Sequence, residues 1–413
     1  MDKVNSMIGV NALFLAFSGI AFLGYILTAL FAKIKIANIL PLMLLGLLVG
    51  PILHWVNTGP GSTVVSISPY VSAIAIAFVL FDVGLSLDIK TLGEIILKAS
   101  KFTFELAIFT GIVLGLLIFF IFKWNIYLAF IAGFALAGPS SIILPSATKI
   151  TKINKRLRSA LVFESVVTDS VQLMVPILLF SILAVGSFDF VDDARMLINF
   201  FLMSPVFGAI LAFFWVFILK EFSQYSKRYS WMLTITMVIG SYGIAQALQL
   251  YGAVSVFVFG VILVNIPKFS RYLERYTYDI KKEFIHIRDY QREITFFVST
   301  FFFFYIGLVF RVSELNSLLL IGSIILAIII FLARYLFLPI LNDLFSQRNL
   351  RSEKIFTAFD VARGLSPAII ATMPEALGMG GSGLTDLIFL TIIFTNVIMT
   401  AGLFIYAKKA FKK

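Results

Sequence analysis

Ala137-Gly138-Pro139-Ser140-Ser141 interrupts an apolar run over about 126–147, and Arg363-Gly364-Leu365-Ser366-Pro367 interrupts another over about 354–374. Proline removes a backbone donor and glycine permits irregular dihedrals, so each run is predicted to unwind near its middle and expose carbonyls and half-helix ends. A single glycine or proline in an apolar helix ordinarily does no more than kink it. A matched pair in corresponding parts of two halves, with ionisable residues beside both, points instead to a binding site at the interruptions.

The surroundings make both runs membrane spans. The chain has 413 residues, of which 60% are hydrophobic and 13% charged, with mean hydropathy +1.01. A soluble domain carries roughly a quarter charged residues. Apolar segments fall at about 8–31, 37–54, 67–87, 102–122, 126–147, 157–185, 196–219, 231–249, 251–267, 294–310, 315–340, 354–374 and 384–407. Most approach the roughly 20 residues that cross a hydrocarbon core as a helix. The expected fold is therefore an all-α polytopic membrane protein of about 13 transmembrane helices. The first segment lacks a basic n-region and a small-residue cleavage site, so it reads as a retained span. There are no cysteines, which excludes disulfides and thiolate metal sites. The net charge of +11 is dispersed through short loops, so topology explains it better than nucleic acid does.

With the N-terminus outside and the C-terminus inside, 27 of the 33 lysines and arginines fall in cytoplasmic stretches. A missed or extra span would exchange the two sides and destroy that sorting. If the segment at 191–229 links two halves, residues 1–190 and 230–413 each hold six spans. The interrupted spans, 5 and 12, are an odd number of spans apart, so the two six-helix repeats are expected to be inverted. Tyr272, Leu273, Tyr276, Ile280 and Phe284 have helical spacing within the polar stretch 268–292, which predicts an amphipathic helix on the inner surface. A plain linker between the bundles is compatible with the same pattern.

Ionisable side chains at bilayer depth are costly and mark functional sites. The candidates are Asp82, Glu164, Asp169, Arg334, Asp360 and Arg363. At 1.5 Å per residue, Asp169 lies about 18 Å into span 6, Gly138 about 18 Å into span 5 from the other side, and Arg363 about 15 Å into span 12. These depths form one band near the midplane. Thr168 and Asp169 project on neighbouring faces, so one helix can offer a hydroxyl and a carboxylate to the same cavity.

Glu164-Ser165-Val166-Val167-Thr168-Asp169 resembles the E-S-x-x-N-D signature of the monovalent cation:proton antiporter superfamily, in its NhaP/NHE-like branch. Further similarity, in order and spacing, lies at Leu40-Pro41 through Gly50-Pro51 and at Phe81-Asp82-Val83-Gly84-Leu85. It continues at Phe301 to Leu308, Ala333-Arg334 and Ala362-Arg363-Gly364. The resemblance covers essentially the whole chain. It implies 13 spans with broken crossing helices 5 and 12, a homodimer, and a structural ion pair between Glu164 and Arg363 that Asp360 can share. Two positions depart from the pattern. The family's span 5 carries T-D-P, whereas Ala137-Gly138-Pro139 stands here, so that carboxylate is missing and the hydroxyls of Ser140 or Ser141 are the available substitutes. Thr168 replaces the asparagine of the N-D pair.

A carboxylate can hold either a cation or a proton, because both compete for the same oxygens. Asp169 is the expected Na⁺ and proton ligand, with Thr168, Ser165, Ser140, Ser141 and the Gly138 segment supplying neutral oxygens suited to a hard cation. Asp82 is placed at an inner access funnel or in plain interfacial solvation, and Arg334 in a structural or headgroup contact. No cofactor is expected, because Walker A, His/Cys and nucleophile–base patterns are absent, which disfavours a pump or enzyme. The leading reading is electroneutral exchange of a monovalent cation (Na⁺, or Li⁺ or K⁺) for H⁺ across the cell membrane, with lipid as the surrounding partner. An ion-coupled symporter of the same fold and a transport-poor membrane sensor stay open. A channel would show repeated pore-loop filters, and none is visible.

Overall fold

A computed structural model describes residues 18–26, 39–56, 62–87, 89–141, 143–151, 153–185, 195, 198–226, 230–269, 277–310, 317–347, 350–376 and 383–410. The fold over these residues is helical, with no strand among them. The helices are α1 (18–26), α2 (Ile39–Leu47), α3 (Thr63–Ser66), α4 (Ser68–Leu85), α5 (Ile89–Phe122), α6 (Ile126–Ala135), α7 (Ile143–Ile150) and α8 (Lys155–Val185). They continue with α9 (Ser204–Ser226), α10 (Ser230–Ala247), α11 (Gly252–Phe269), α12 (Thr277–Val309), α13 (Ser317–Phe337), α14 (Leu350–Phe359), α15 (Leu365–Ala376) and α16 (Leu384–Ala410). Counting the π and 3-10 turns that adjoin them, seven helical stretches among the described residues are long and apolar enough to cross a membrane, and 40–52, 126–135 and 252–266 are shorter apolar helices. The chain is an integral membrane protein. Its outer faces are what lipid requires: Ile210, Phe213, Phe214 and Phe217 on α9, and Ile321, Ile328 and Leu332 on α13, are all exposed.

Both predicted interruptions are present. α6 stops at Ala135 and α7 starts at Ile143, while α14 stops at Phe359 and α15 starts at Leu365. The helices pack chiefly within two groups. One contains α2, α4 and α9 to α12; the other contains α5 to α8 and α13 to α16, and so holds both interruptions.

The inner-surface helix expected over 268–292 is not a separate element in its described part. Residues 277–292 run without a break into the following span, forming α12 of 33 residues. No glycine or proline lies between Thr277 and Phe304, so nothing stops propagation once the helix has nucleated. At 1.5 Å per residue α12 is about 50 Å long, well beyond a hydrocarbon core of about 30 Å, so its polar N-terminal turns extend past the apolar layer. Residues 270–276, with Tyr272, Leu273 and Tyr276, lie outside the described residues.

α12 is pinned to its neighbours by close backbone contact and by polar ties. Gln291 Nε2 donates to the Phe78 carbonyl at 3.0 Å, and Tyr305 OH and Ser68 Oγ are 2.7 Å apart, both joining α12 to α4. Against α2 the approach is closer still: a Cβ on Gly307 would overlap the carbonyl oxygen of Met43, and one on Gly46 would overlap that of Phe304. Small residues let membrane helices approach this way. Replacing Gly307 by Val should therefore cost at least about 1–3 kcal/mol through overpacking. Detergent-solubilised G307V should melt earlier than the parent, whereas valine at Gly240, where a Cβ meets nothing within 4 Å, should not.

Candidate functional site

The two interruptions touch each other. Unwinding frees backbone groups, and each must find a partner away from water. The Ser140 amide donates to the Ala362 carbonyl at 2.9 Å, joining one broken segment directly to the other. Arg363 Nε donates to the Leu136 carbonyl at 2.8 Å. On the far side α16 serves the second interruption: Asn396 Nδ2 donates to the Arg363 carbonyl at 2.8 Å, and the Arg363 amide donates to Thr395 Oγ1 at 3.3 Å.

Asp169, on α8, is 3% exposed and faces this crossing. Its Oδ2 accepts from the Ser141 amide at 3.1 Å, and its Oδ1 accepts from Ser366 Oγ at 2.8 Å. The Ser141 hydroxyl lies beside the same carboxylate without a well-formed hydrogen bond. Both donors precede or open a half-helix, α7 or α15, so the positive ends of two short helices converge on one carboxylate. Ser366 was legible only as part of an interrupted segment; nothing in its spacing indicated the contact with Asp169.

Gly138 has a physical reason to be glycine. A Cβ there would overlap Cβ and Oγ1 of Thr168, so the threonine fills the space that a side chain at 138 needs. Thr168 Oγ1 donates to the Glu164 carbonyl at 2.9 Å, and Ser165 Oγ donates to the Val162 carbonyl at 2.9 Å. Both hydroxyls thus bond back to their own helix rather than to the Asp169 carboxylate. The Ser140 hydroxyl is buried and has no hydrogen-bond partner among the described residues. Asp82 is half-buried on α4, in the other helix group.

The expected Glu164–Arg363 pair is not what forms. Glu164 is held by Arg334, whose Nη1 and Nη2 donate to its two oxygens at 2.5 and 2.9 Å. Asp360 also belongs to Arg334, accepting from Nη2 at 3.0 Å, and Nε donates to the Thr357 carbonyl at 2.6 Å. The guanidinium lies 5.6 Å from the centroid of the Phe102 ring. The reason is local. Arg334 ends α13 facing α8, where a planar fork can meet a carboxylate with two parallel bonds. Arg363 stands in unwound backbone and is drawn to the freed Leu136 carbonyl, leaving its Nη1 without a hydrogen bond among the described residues.

A further buried acid braces one end of the same group. Glu353, at the start of α14, accepts from the Asn154 amide and from Asn154 Nδ2, each at 2.9 Å, and from the Ser346 amide at 2.6 Å. It joins the entrance of α8 to that of α14. Among the described residues no group of three or more His, Cys, Asp or Glu side chains could hold a metal.

These features agree with comparison to known proteins. The family "Sodium/hydrogen exchanger, transmembrane" matches residues 18–409. The chain belongs to this family. Two solved structures of the sodium proton antiporter MjNhaP1 from Methanocaldococcus jannaschii share its fold. One, at pH 8, has a TM-score of 0.71 and 19% identity over 97% of both chains. The other, from an electron-microscopy map, has a TM-score of 0.76 and 18% identity over 98% of both chains.

Two stability measurements follow from the site. Arg334→Met strands two buried carboxylates and should cost about 3–5 kcal/mol, while adding Glu164→Gln should recover part of that loss. Equal melting losses in the single and double variants would contradict the pairing. Gly138→Ala should destabilise by about 1–3 kcal/mol through the clash with Thr168, and Thr168→Ala in the same chain should relieve it.

Proposed function

We propose that this member of the sodium/hydrogen exchanger family exchanges one monovalent cation for one proton across the membrane, with Asp169 as the group that holds either. The observation that carries the reading is the setting of that carboxylate. It is buried where two broken helices cross, and the contacts found to it, Ser141 and Ser366, come from neutral donors. A proton or a cation can neutralise it there, and the two compete for the same oxygens.

Charge supports one-for-one exchange. Glu164, Asp169 and Asp360 are negative when ionised, Arg334 and Arg363 are positive, and all five are buried close enough to interact. The cluster then carries one net negative charge, which a single proton or a single monovalent cation cancels. Arg334 and its two carboxylates are structural in this reading, and Asp169 is the exchangeable site. The two helix groups would rock against each other to expose it alternately. The topology that goes with this has 13 crossings, the N-terminus outside and the C-terminus inside. Inverted six-helix repeats at 1–190 and 230–413 are joined by 191–229, and the chain works as a homodimer in a cell membrane. Na⁺, with Li⁺ or K⁺ as further cargo, is the substrate class.

Proteoliposomes loaded with a pH-sensitive dye test the proposal on stepwise addition of Li⁺, Na⁺ and K⁺. Exchange should appear in the parent and vanish in Asp169→Asn while that variant still purifies as a folded protein. Apparent cation affinity should weaken as pH falls, because the proton is the competitor. An imposed membrane potential should leave the rate nearly unchanged. Parent-like exchange by folded Asp169→Asn would sink the assignment, and a strongly voltage-driven rate would refute the stoichiometry.

A further inference from the structure

Gln172 lies one turn beyond Asp169 on the same face of α8 and is fully buried. Its Nε2 donates to the Gly138 carbonyl at 2.5 Å. That carbonyl can only accept, so the carboxamide must present its nitrogen there and turn its oxygen elsewhere. Oε1 has no hydrogen-bond partner among the described residues. A fully buried amide oxygen without a donor is unusual and calls for a ligand.

The location narrows what that ligand is. Asp169 takes the Ser141 amide while Gln172 takes the Gly138 carbonyl, so one helix face grips both ends of a single short segment. Ser140 lies between the two grips, and its buried hydroxyl oxygen is likewise unpartnered. The Asp169 carboxylate and the Ser140 hydroxyl thus stand at this segment, and the Gln172 carboxamide is anchored at its Gly138 end with an unpartnered oxygen. A hard monovalent cation is bound by such oxygens, and it requires no donor from the protein.

The same geometry accounts for the acid missing from span 5. With Thr168 in the space beside Gly138, a side chain at 138 would clash, so a further ligand at this end has to come from another element. The Gln172 carboxamide, held there through its nitrogen, brings an oxygen on α8 without adding charge. We infer that Gln172 Oε1, with Ser140 Oγ, is a neutral cation ligand completing the Asp169 site, and that Gln172 sets which alkali cation the site prefers. This inference rests on the exchange reading above and supplies the neutral half of its site.

The test uses the full chain and the chlorides of Li⁺, Na⁺ and K⁺, with choline chloride holding ionic strength constant. In proteoliposomes, Gln172→Met should raise the apparent KM for the preferred cation about tenfold, the change expected for losing one ligand of roughly 1.4 kcal/mol. That rise should exceed any fall in maximal rate. A purely structural role for Gln172 predicts the reverse, a lower rate at parent KM, and that result overturns the inference. Gln172→Glu keeps a ligand oxygen but adds charge and gives up the donor to the Gly138 carbonyl, so it should favour the smaller cations and change the KM ratios among the three. Unchanged ratios in Q172E overturn the inference even if Q172M does not fold. Thermal stabilisation of the purified protein by each chloride provides a readout that does not depend on transport. Stabilisation of the parent that is weakened in Q172M supports the ligand role, and equal stabilisation of both overturns it. The exchange reading is judged separately, by loss of exchange in Asp169→Asn.

Discussion

Arg334 holds two carboxylates in a place that neither water nor lipid can reach. Glu164 comes from α8, Asp360 from the second interruption, the Thr357 carbonyl from α14 and the Phe102 ring from α5. Breaking such a cluster is far costlier than having an apolar one in its place, because any one removal leaves a bare charge. The cluster therefore constrains geometry more than it adds stability. It fixes how α5, α8, α13 and the α14–α15 junction meet, and only with those positions fixed can the two unwound segments cross beside Asp169.

The crossing itself is an accounting problem in backbone hydrogen bonds. Each interruption frees carbonyls and amides in a medium that cannot solvate them. Ser140 answers to Ala362, Leu136 to Arg363, and Arg363 to Asn396 and Thr395. The Ser141 amide goes to the Asp169 carboxylate, and the Gly138 carbonyl goes to Gln172. The same partners that make unwinding tolerable thus build the site.

Much of this was legible in the chain. The matched Gly/Pro interruptions, the mid-depth acids and the apolar segments each follow from local rules: what proline does to a helix, what burial does to a charge, and how long a span must be. Of the surface helix expected over 268–292, residues 277–292 are helical and run on into the following span. Spacing says which residues share a face and not where a helix ends, and no breaker separates Thr277 from that span.

Pairing was the part that local rules could not reach. By sequence alone the chain determined that it spans a membrane, that two spans break, and that Asp169, Gly138 and Arg363 lie in one band near mid-depth. Which arginine meets which acid depends on the rotation and lateral contact of helices far apart in the chain, and Glu164 and Arg334 are separated by 170 residues. The same holds for Ser366 on Asp169 and for Thr168 filling the space at Gly138. These contacts were decided by tertiary packing, because hydrogen bonds a few ångströms long select partners by proximity in space, which periodicity along one helix does not encode.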